Sequence, residues 1–355
     1  MRVDGRLDEA IYSTVHPASD FIQMEPRGGA PATEKTEVWV FYDDNNVYVS
    51  FRNWESDPTK TVVNEMRRDS GNIRQGDSIE FAFDTFRDRR NAILFESNSL
   101  GARSDLQSTN ERQFNQDWNP VWTLRSGKFE GGWTIEASVP FKSIRYAPGR
   151  QQDWGFQARR TNKSKNEIAY LTKLPPALGL GRADFSASLY ANLVGLEAPP
   201  LSRTLELKPY VIGNVTTDNV ATPRRSNDLA GDAGVDAKWA VTQNMTADLT
   251  YNTDFAQVEA DEQQVNLTRF SLFFPEKRDF FLEGQGIFAF GGRSLSGRGT
   301  GGDADDVPIM FFSRQIGLAA GRTVPVLAGG RVTGKAGRFD IAALNIETAR
   351  SESAG

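Results

Sequence analysis

Side chains that could hold a hydroxyl-rich ligand recur in the first half of the sequence, within segments where polar and apolar residues alternate. They are Glu80, Glu96, Asn98, Gln157 and Arg159. Carboxylates, amides and a guanidinium can each grip two hydroxyl groups of a sugar. We therefore expect a polar sheet face suited to a glycan. An ordinary solvated sheet face, with ion pairs such as Glu80–Arg159, explains the same pattern.

The segments that must position these side chains are predicted to be short β-strands. They are EVWVFYDDNNVYVSFRN, DSIEFAFDTF, NAILFESNS, GGWTIEASVPF and DWGFQARRT. Because successive side chains of a strand point to opposite faces, one set of residues should face a core. That set is Ile79, Phe81, Phe83, Ile93, Phe95, Trp133, Ile135, Ala137, Val139, Trp154, Phe156 and Ala158. Glu136 faces outward by the same rule, and we place it on the same open face as Glu80. Short strands separated by turns predict a β-sandwich.

Composition excludes several classes of function. The 355 residues include 41 basic and 46 acidic side chains, a net charge of −5, and no basic cluster resembles a polyanion groove, so we expect no nucleic-acid partner. Cys is absent and His16 is the single His, which excludes thiolate and His-rich metal sites and argues against a Ser–His triad.

A catalytic role is weaker than a binding role on this sequence. No Gly-x-Ser-x-Gly, His-Glu-x-x-His or P-loop motif occurs. Glycoside hydrolase activity is the second candidate. It would need two carboxylates about 5–10 Å apart around a cleft. A flat sheet face is, however, a poor place to raise the pKa of a carboxyl group by burial.

The pattern changes after a Pro-containing linker at residues 197–203. The strands that follow are longer, rich in Gly, and apolar on one face but charged on the other, as in MTADLTYN at 245–252. That pattern predicts an outer-membrane β-barrel, apolar toward lipid and polar toward the lumen. A second soluble sandwich would also alternate. No apolar run is long enough for a transmembrane helix.

The segment FSLFFPEKRDFFLEG, residues 270–284, combines Phe side chains with charges. It could be a plug or inner loop that packs against a barrel wall, with Lys277 and Arg278 paired to acidic groups in the lumen. It could instead lie at the membrane interface, where rings and cations occur together. We favour the plug, because the acidic side chains nearby are costly at a lipid face.

Two sets of motifs resemble known families. VDGRLDEAIY, VWVFYDDNNVYVSFRN, GDSIEFAFDTFRDRRNAILFESNSLG and GGWTIEASVPFKSIRY resemble a family 9 carbohydrate-binding module. YNTDFAQVEADEQQVNLTRFSLFFPEKRDFFLEG resembles the signature of an uncharacterised bacterial outer-membrane family, in which such a module precedes a β-barrel. Together the motifs extend from Val3 to about Thr348.

The resemblance implies an all-β fold in which a β-sandwich precedes the long antiparallel strands of a partial outer-membrane β-barrel. We assign residues 1–196 to the sandwich, 197–203 to the linker and 204–355 to the first part of a barrel domain, truncated because family members are longer. The implied location is the bacterial outer membrane, with the module in the periplasm. Residues 1–10 are not a signal peptide, so we expect the signal to be missing from this chain.

The implied partners are outer-membrane lipid and a glycan or another envelope ligand, and the implied function is to bind or handle that ligand. Two alternatives remain. The module could be an accessory domain of a glycan-degrading hydrolase, or it could be a scaffold that has lost sugar binding and docks a protein partner on its sheet face.

In family 9 modules two Trp side chains clamp the sugar, and polar side chains hold it. The resemblance assigns sugar contact to Glu80 and Asn98. Arg74 stands where the first clamping Trp is expected, Glu96 replaces an Arg, and residues 176–186 contain no Trp. Stacking worth roughly 1–3 kcal/mol per ring is lost if sugars stack as bases do. The sequence thus argues against sugar binding of the usual kind.

Trp118 and Trp122, in DWNPVW, are candidates for a replacement platform. Their alternative is a packed loop, in which the rings fill space and bind nothing.

The resemblance also implies structural calcium. Candidate ligands are Asp43 and Asp44, or Asp84 and Asp88, because calcium takes six to eight oxygen ligands. The DDNN stretch that contains the first pair is equally well explained as a hairpin turn.

Overall fold

The structure is a computed structural model of the chain, and it divides into two compact units, Met1–Leu201 and Ser202–Gly355. The boundary between them falls inside the linker predicted at residues 197–203. The structure describes residues 1–111, 113–116, 118–199, 205–218, 225–242, 245–253, 279–282, 285–288, 311, 313–319, 322–336 and 339–350.

The first unit consists of short β-strands, as predicted. In the described residues they are β1 (Ile22–Glu25), β2 (Thr36–Tyr42), β3 (Asn46–Trp54), β4 (Ser78–Asp84), β5 (Ala92–Asn98), β6 (Arg103–Thr109), β7 (Gln113–Asn115), β8 (Thr123–Phe129), β9 (Gly132–Pro140), β10 (Gln151–Asn162), β11 (Glu167–Tyr170) and β12 (Ala191–Glu197). Helical turns join them: α1 (Ile11–Thr14), α2 (Leu180–Ala183), and 3-10 turns at Pro58–Lys60, Ile73–Gln75, Phe141–Ser143, Lys163–Lys165, Pro176–Leu178 and Ala187–Leu189.

The strands form two antiparallel sheets that pack face to face. The larger sheet has the order β1-β11-β10-β4-β5-β6-β7, with β12 also paired to β10, and the smaller has the order β2-β3-β9-β8. All the residues predicted to face inward lie in the shared apolar core. The β-sandwich prediction is therefore confirmed, and so is the in-or-out assignment along these strands.

The sequence-based placement of Glu136 was wrong. It lies on β9, in the smaller sheet, and not beside Glu80 in the larger one. Its carboxylate accepts hydrogen bonds from the backbone N–H of Gly5 (2.7 Å) and from the Tyr12 hydroxyl (2.8 Å). Alternation along a strand gives the direction of a side chain but not the sheet to which the strand belongs. The N-terminal segment covers this face, and it buries Glu136 completely.

The second unit contains a five-stranded antiparallel sheet of longer strands. Its elements in the described residues are β13 (Leu205–Asp218), β14 (Arg225–Thr242), β15 (Met245–Thr253), α3 (Asp279–Leu282), α4 (Gln285–Phe288), a 3-10 turn at Ser313–Gln315, β16 (Leu318–Ala319), β17 (Arg322–Thr323), β18 (Val326–Ala336) and β19 (Phe339–Thr348). The sheet order is β13-β14-β15-β18-β19, and β16 and β17 pair separately. None of the helices in the described ranges has the length and hydropathy needed to cross a membrane.

The two faces of this sheet differ in polarity. Directly paired residues of antiparallel strands lie on the same face. One face therefore carries exposed apolar side chains, namely Leu205, Leu207, Val211, Val215, Leu229, Val235, Trp239, Leu249, Tyr251, Phe339 and Ile341. On the other face, polar side chains at the centre are buried: Thr246, Asp248, Thr250, Arg331 and Thr333.

Part of the Phe-rich segment packs on the polar face. The Phe280 ring lies 5.3 Å from the Arg331 guanidinium, which forms a buried ion pair with Asp248 (2.7 Å). Phe281 is also buried and contacts Phe280 edge to face. Residues 270–278 and 283–284, with Lys277 and Arg278 and their predicted lumen partners, lie outside the described residues.

Candidate functional site

The polar side chains predicted on the larger sheet lie close together. In the register of the sheet, Glu80 on β4 is directly opposite Glu96 on β5 and Arg159 on β10. Arg159 donates to Glu96 (2.7 Å) and lies 3.7 Å from Glu80. The ion pair Glu80–Arg159, proposed as the ordinary explanation of the pattern, is therefore present.

Two further residues complete this group. Arg74, from the 3-10 turn before β4, contacts Glu80 (2.6 Å) and Glu96 (3.0 Å). Asp184 contacts Arg159 (2.7 Å) and Arg74 (3.1 Å). We call Arg74, Glu80, Glu96, Arg159 and Asp184 the charge cluster. Its carboxyl groups and guanidiniums contact one another, although the buried Nε of Arg159 has no hydrogen-bond partner among the described residues.

The face that carries the charge cluster is covered. We define residues 174–190, the segment that contains α2, as the cover segment. It supplies Asp184, which accepts a hydrogen bond from the Tyr170 hydroxyl (2.6 Å), while the Tyr190 hydroxyl donates to the Asp184 carbonyl (2.5 Å). Phe185 and Tyr190 pack on apolar side chains of β4, β5 and β6, and so extend the cover beyond the charged groups.

Burial of the charge cluster is nearly complete. Glu80 is 3% exposed, Arg159 5% and Asp184 2%, and the Arg74 side chain keeps 33%. The sequence predicted an open polar face. The structure closes it, because a segment without strand alternation lies over it.

The electrostatics of the cluster follow from this burial. Burial raises the pKa of Glu80 to about 8, although Arg159 and Arg74 oppose the shift. Burial acts on Asp184 in the same direction, but the guanidiniums of Arg159 and Arg74 hold its pKa below the usual range. With Glu80 protonated at neutral pH, two carboxylates balance two guanidiniums, which is the arrangement a buried group of charges requires.

The predicted amide ligands are used by the protein's own loops. Asn98 donates to the Glu65 carbonyl (2.8 Å) and accepts from the backbone N–H groups of Leu100 and Ala102. Gln157 donates to the Thr172 hydroxyl (2.6 Å) and accepts from the Thr172 backbone N–H. Both side chains are buried and hold the chain that surrounds the charge cluster.

The two Trp candidates differ in accessibility. Trp122 is in the core, 1% exposed, and its indole N–H donates to Asp105 (2.8 Å). Trp118 is half-buried and meets the Phe95 ring at 5.8 Å in an edge-to-face contact. Of the pair, Trp118 alone presents a ring that a ligand could reach.

The proposed calcium ligands lie in turns. Asp43 accepts from the backbone N–H groups of Asn45 and Asn46 (2.8 Å each), and this is the hairpin-turn arrangement. Asp44 is exposed beside it.

Asp84 accepts from the backbone N–H groups of Asp88 and Arg89, and Asp88 accepts from Asn91. The described residues contain no group of three His, Cys, Asp or Glu that could hold a metal ion. These turns thus do not supply a calcium site from carboxylates alone, and calcium stays a prediction.

The sequence did not point to three residues of this region, namely Asp184, Tyr170 and Tyr190. The available signal was Arg74: a cation at the position expected for a clamping ring needs carboxylates around it, and Glu80 and Glu96 were already on that face. The third carboxylate could not be located, because the cover segment has no periodic pattern.

Family models match residues in both parts of the chain. Residues 3–170 match the carbohydrate family 9 binding domain-like model, and residues 199–322 match a domain of unknown function (DUF5916). None of the curated proteins compared with the chain matches it.

Solved structures of carbohydrate-binding proteins are similar to part of the chain. A carbohydrate binding module family 9 from Caldicellulosiruptor kristjanssonii in complex with cellotriose is 16% identical, with a TM-score of 0.40 over 57% of this chain and 91% of that chain. A structure of such a module from the same organism in complex with glucose is also 16% identical, with a TM-score of 0.40 over 57% of this chain and 93% of that chain. A putative carbohydrate-binding protein from Bacteroides uniformis is 11% identical, with a TM-score of 0.37 over 51% of this chain and 86% of that chain. By family model, residues 3–170 are similar to the carbohydrate family 9 binding domain-like family, and residues 199–322 to a domain of unknown function (DUF5916).

Proposed function

We propose that this chain is part of a bacterial outer-membrane β-barrel protein whose N-terminal module is periplasmic and handles a glycan or another envelope ligand. The single observation that carries the membrane part is the polarity of the second unit's sheet. Its apolar face is exposed and the centre of its polar face is buried, the reverse of a sheet in a water-soluble domain.

Strand length supports the same proposal. β15 has 9 residues, β19 has 10 and β18 has 11. A tilted strand needs about 9–11 residues to cross the hydrocarbon layer. A soluble sandwich would instead bury side chains such as Val211, which is 85% exposed, against a second sheet.

Trp239 offers a direct test of membrane contact. It lies on the apolar face, it is 44% exposed, and it is the one Trp after residue 196 in the sequence. In vesicles with brominated acyl chains, we expect quenching of the wild-type fluorescence that the Trp239→Phe variant lacks. Equal quenching of both proteins, or none, would contradict insertion of this face into lipid.

The glycan part rests on the match of residues 3–170 to a carbohydrate-binding family. The sealed face of the larger sheet favours a second candidate, in which the module has become a scaffold for a protein partner. Binding of neutral and acidic oligosaccharides to the full chain in detergent, with calcium and with a chelator, separates the two. Binding of any glycan supports the first candidate, its absence across the panel favours the scaffold, and a calcium requirement would support the predicted metal.

A further inference from the structure

We infer that the module binds a carboxylated, uronate-type glycan at the edge of the sandwich, where Arg68, Arg103, Trp118 and Asn119 lie around Asp105. This inference rests on the proposed glycan function and assigns it a place. We call these five residues the edge site. The face expected to hold sugar is filled by the charge cluster, so a ligand needs another surface.

Arg68 is fixed in place and still accessible. Its Nη2 donates to Asp105 Oδ2 (2.8 Å) and to Asn119 Oδ1 (2.5 Å), and its Nε donates to Asp69 (3.0 Å). The side chain remains 31% exposed, and Asn119 is exposed. These contacts fix the guanidinium and leave the N–H groups of Nη1 to donate to the carboxylate of a uronate.

The local charge favours an anionic ligand. Arg103 has two guanidiniums near it, those of Arg68 and Arg125, against the two carboxylates of Asp69 and Asp105. Burial, followed by repulsion from Arg68, lowers the pKa of Arg103. A bound carboxylate would offset the repulsion that the Arg68 guanidinium exerts on Arg103.

Asp105 offers a hydrogen-bond acceptor that the protein leaves unused. It is 3% exposed, and its Oδ2 accepts from Trp122 Nε1 and from Arg68. Its Oδ1 is buried and has no hydrogen-bond partner among the described residues. Burial raises the pKa of Asp105 to about 6, so the group is an anion at neutral pH. A buried acceptor without a donor is costly, and a sugar hydroxyl would supply the donor.

Aromatic surface completes the edge site. The Trp118 ring packs by its contact with Phe95 on the core and remains partly exposed. Arg103 lies 5.7 Å from the Trp122 ring and donates to the Trp122 carbonyl (2.5 Å), so its position is also fixed. A partly exposed indole beside oriented guanidiniums and a carboxylate suits the apolar face and the polar rim of a uronate ring.

The test is calorimetric binding of α-1,4-linked digalacturonate and of neutral α-1,4-linked galactobiose to the full chain in detergent. We expect the acid to bind at least 10-fold more tightly, and its affinity to fall as salt is raised. Arg68→Gln should lower affinity for the acid at least 10-fold, and Asn119→Ala should lower it several-fold. Asn119 is exposed, so its truncation should leave the fold intact. Arg150→Gln, at an exposed ion pair with Glu197, is the matched loss of one charge and should have no effect.

The outcomes separate this inference from the proposed function. Loss of binding in Arg68→Gln and Asn119→Ala, with folding preserved in the second, supports the edge site. Glycan binding that neither substitution changes, or a preference for the neutral disaccharide, overturns the edge site and leaves the glycan function standing. Absence of binding to every glycan overturns both.

Discussion

In the larger sheet of the first unit and in the sheet of the second unit, polar and apolar side chains alternate with the same period of two residues. The surroundings of the polar and apolar faces differ between the two sheets. In the first, the outer face holds five charged side chains and is sealed by the cover segment. In the second, the face with apolar side chains is exposed, and the centre of the polar face is buried. Alternation along a strand therefore separates two faces without revealing what medium each face meets.

What each medium demands of the side chains explains the difference. Buried charges persist only if they are paired, and the charge cluster meets that condition with contacts of 2.6–3.1 Å between Arg74 and its three carboxylate partners. Exposed apolar side chains over most of a sheet face persist only against another apolar surface. The outer face of the larger sheet is covered by the cover segment, which belongs to the same unit. For the exposed apolar face of the second unit's sheet, we propose that the surface it contacts is lipid.

The strongest test of the sealed face is Arg159→Met, which removes the charge and keeps most of the side-chain volume. Glu96 and Asp184 would lose their closest cation, so we expect the free energy of unfolding to fall by about 3–5 kcal/mol. Urea denaturation followed by module Trp fluorescence measures it. Arg150→Met, at an exposed pair, should cost less than about 1 kcal/mol. A comparable small loss in both variants would mean that the charge cluster is not sealed in solution.

The exposed apolar face is tested by Leu249→Arg, at the centre of β15. In a bilayer, an arginine there should lower the free energy of unfolding by about 2–4 kcal/mol. In water, the same change at a side chain 54% exposed should stay within about 0.5 kcal/mol. Folding titrations in lipid vesicles measure the cost. Glu206→Gln, on the opposite face, is the control. Equal stability of the arginine variant and the wild type would remove the argument for lipid contact.

Much of the fold followed from the sequence because alternation encodes side-chain direction. The inward set from Ile79 to Ala158 was right for this reason, and so was the pairing of Glu80 with Arg159. Glu136 failed because direction does not identify the sheet. The polarity of each face of β13 to β19 could also be predicted from the alternation, but whether a face meets water, lipid or protein could not.

The candidate site was less predictable than the fold. Asp184 reaches Arg159 from a segment of single turns that carries no period, so nothing in the sequence located it. Asn98 and Gln157 were on the expected face, yet neighbouring backbone groups and Thr172 use their hydrogen-bonding capacity. Residue type and spacing gave the members of the group. Long-range packing decided whether they were free to bind a ligand.

A pH titration sharpens the description of the sealed face. Glu80 has a pKa of about 8 in the folded chain against its usual 4.5. Between these pH values the unfolded chain releases this proton and the folded chain keeps it. The contribution of Glu80 to the free energy of unfolding is therefore complete below pH 4.5 and is lost as the pH rises to about 8. The slope is at most about 1.4 kcal/mol per pH unit.

Glu80→Gln cannot release a proton and should lack this part of the slope. Denaturation midpoints at pH 5, 6, 7 and 8 measure the difference between the two proteins. Asp105, with a raised pKa of about 6, contributes a slope of the same sign in both and cancels. Parallel curves for the wild type and the variant would show that Glu80 is ionised in the folded state.

The smallest expected effect compares the two faces at adjacent residues of one strand. A Cβ added at Gly329 would lie 2.7 Å from Ile346 Cδ1, 2.9 Å from Thr250 Cγ2 and 3.4 Å from Phe280 Cζ. Among the described residues, a Cβ added at Gly330, on the apolar face, would meet only Leu249 Cδ2, at 3.4 Å. We expect Gly329→Ala to cost about 1 kcal/mol or more, since side chains must shift, and Gly330→Ala to stay near zero. Unfolding in detergent measures both. If Gly329→Ala is also neutral, the polar face around Gly329 has room for a methyl group, and the difference in packing between the two faces at this strand is contradicted.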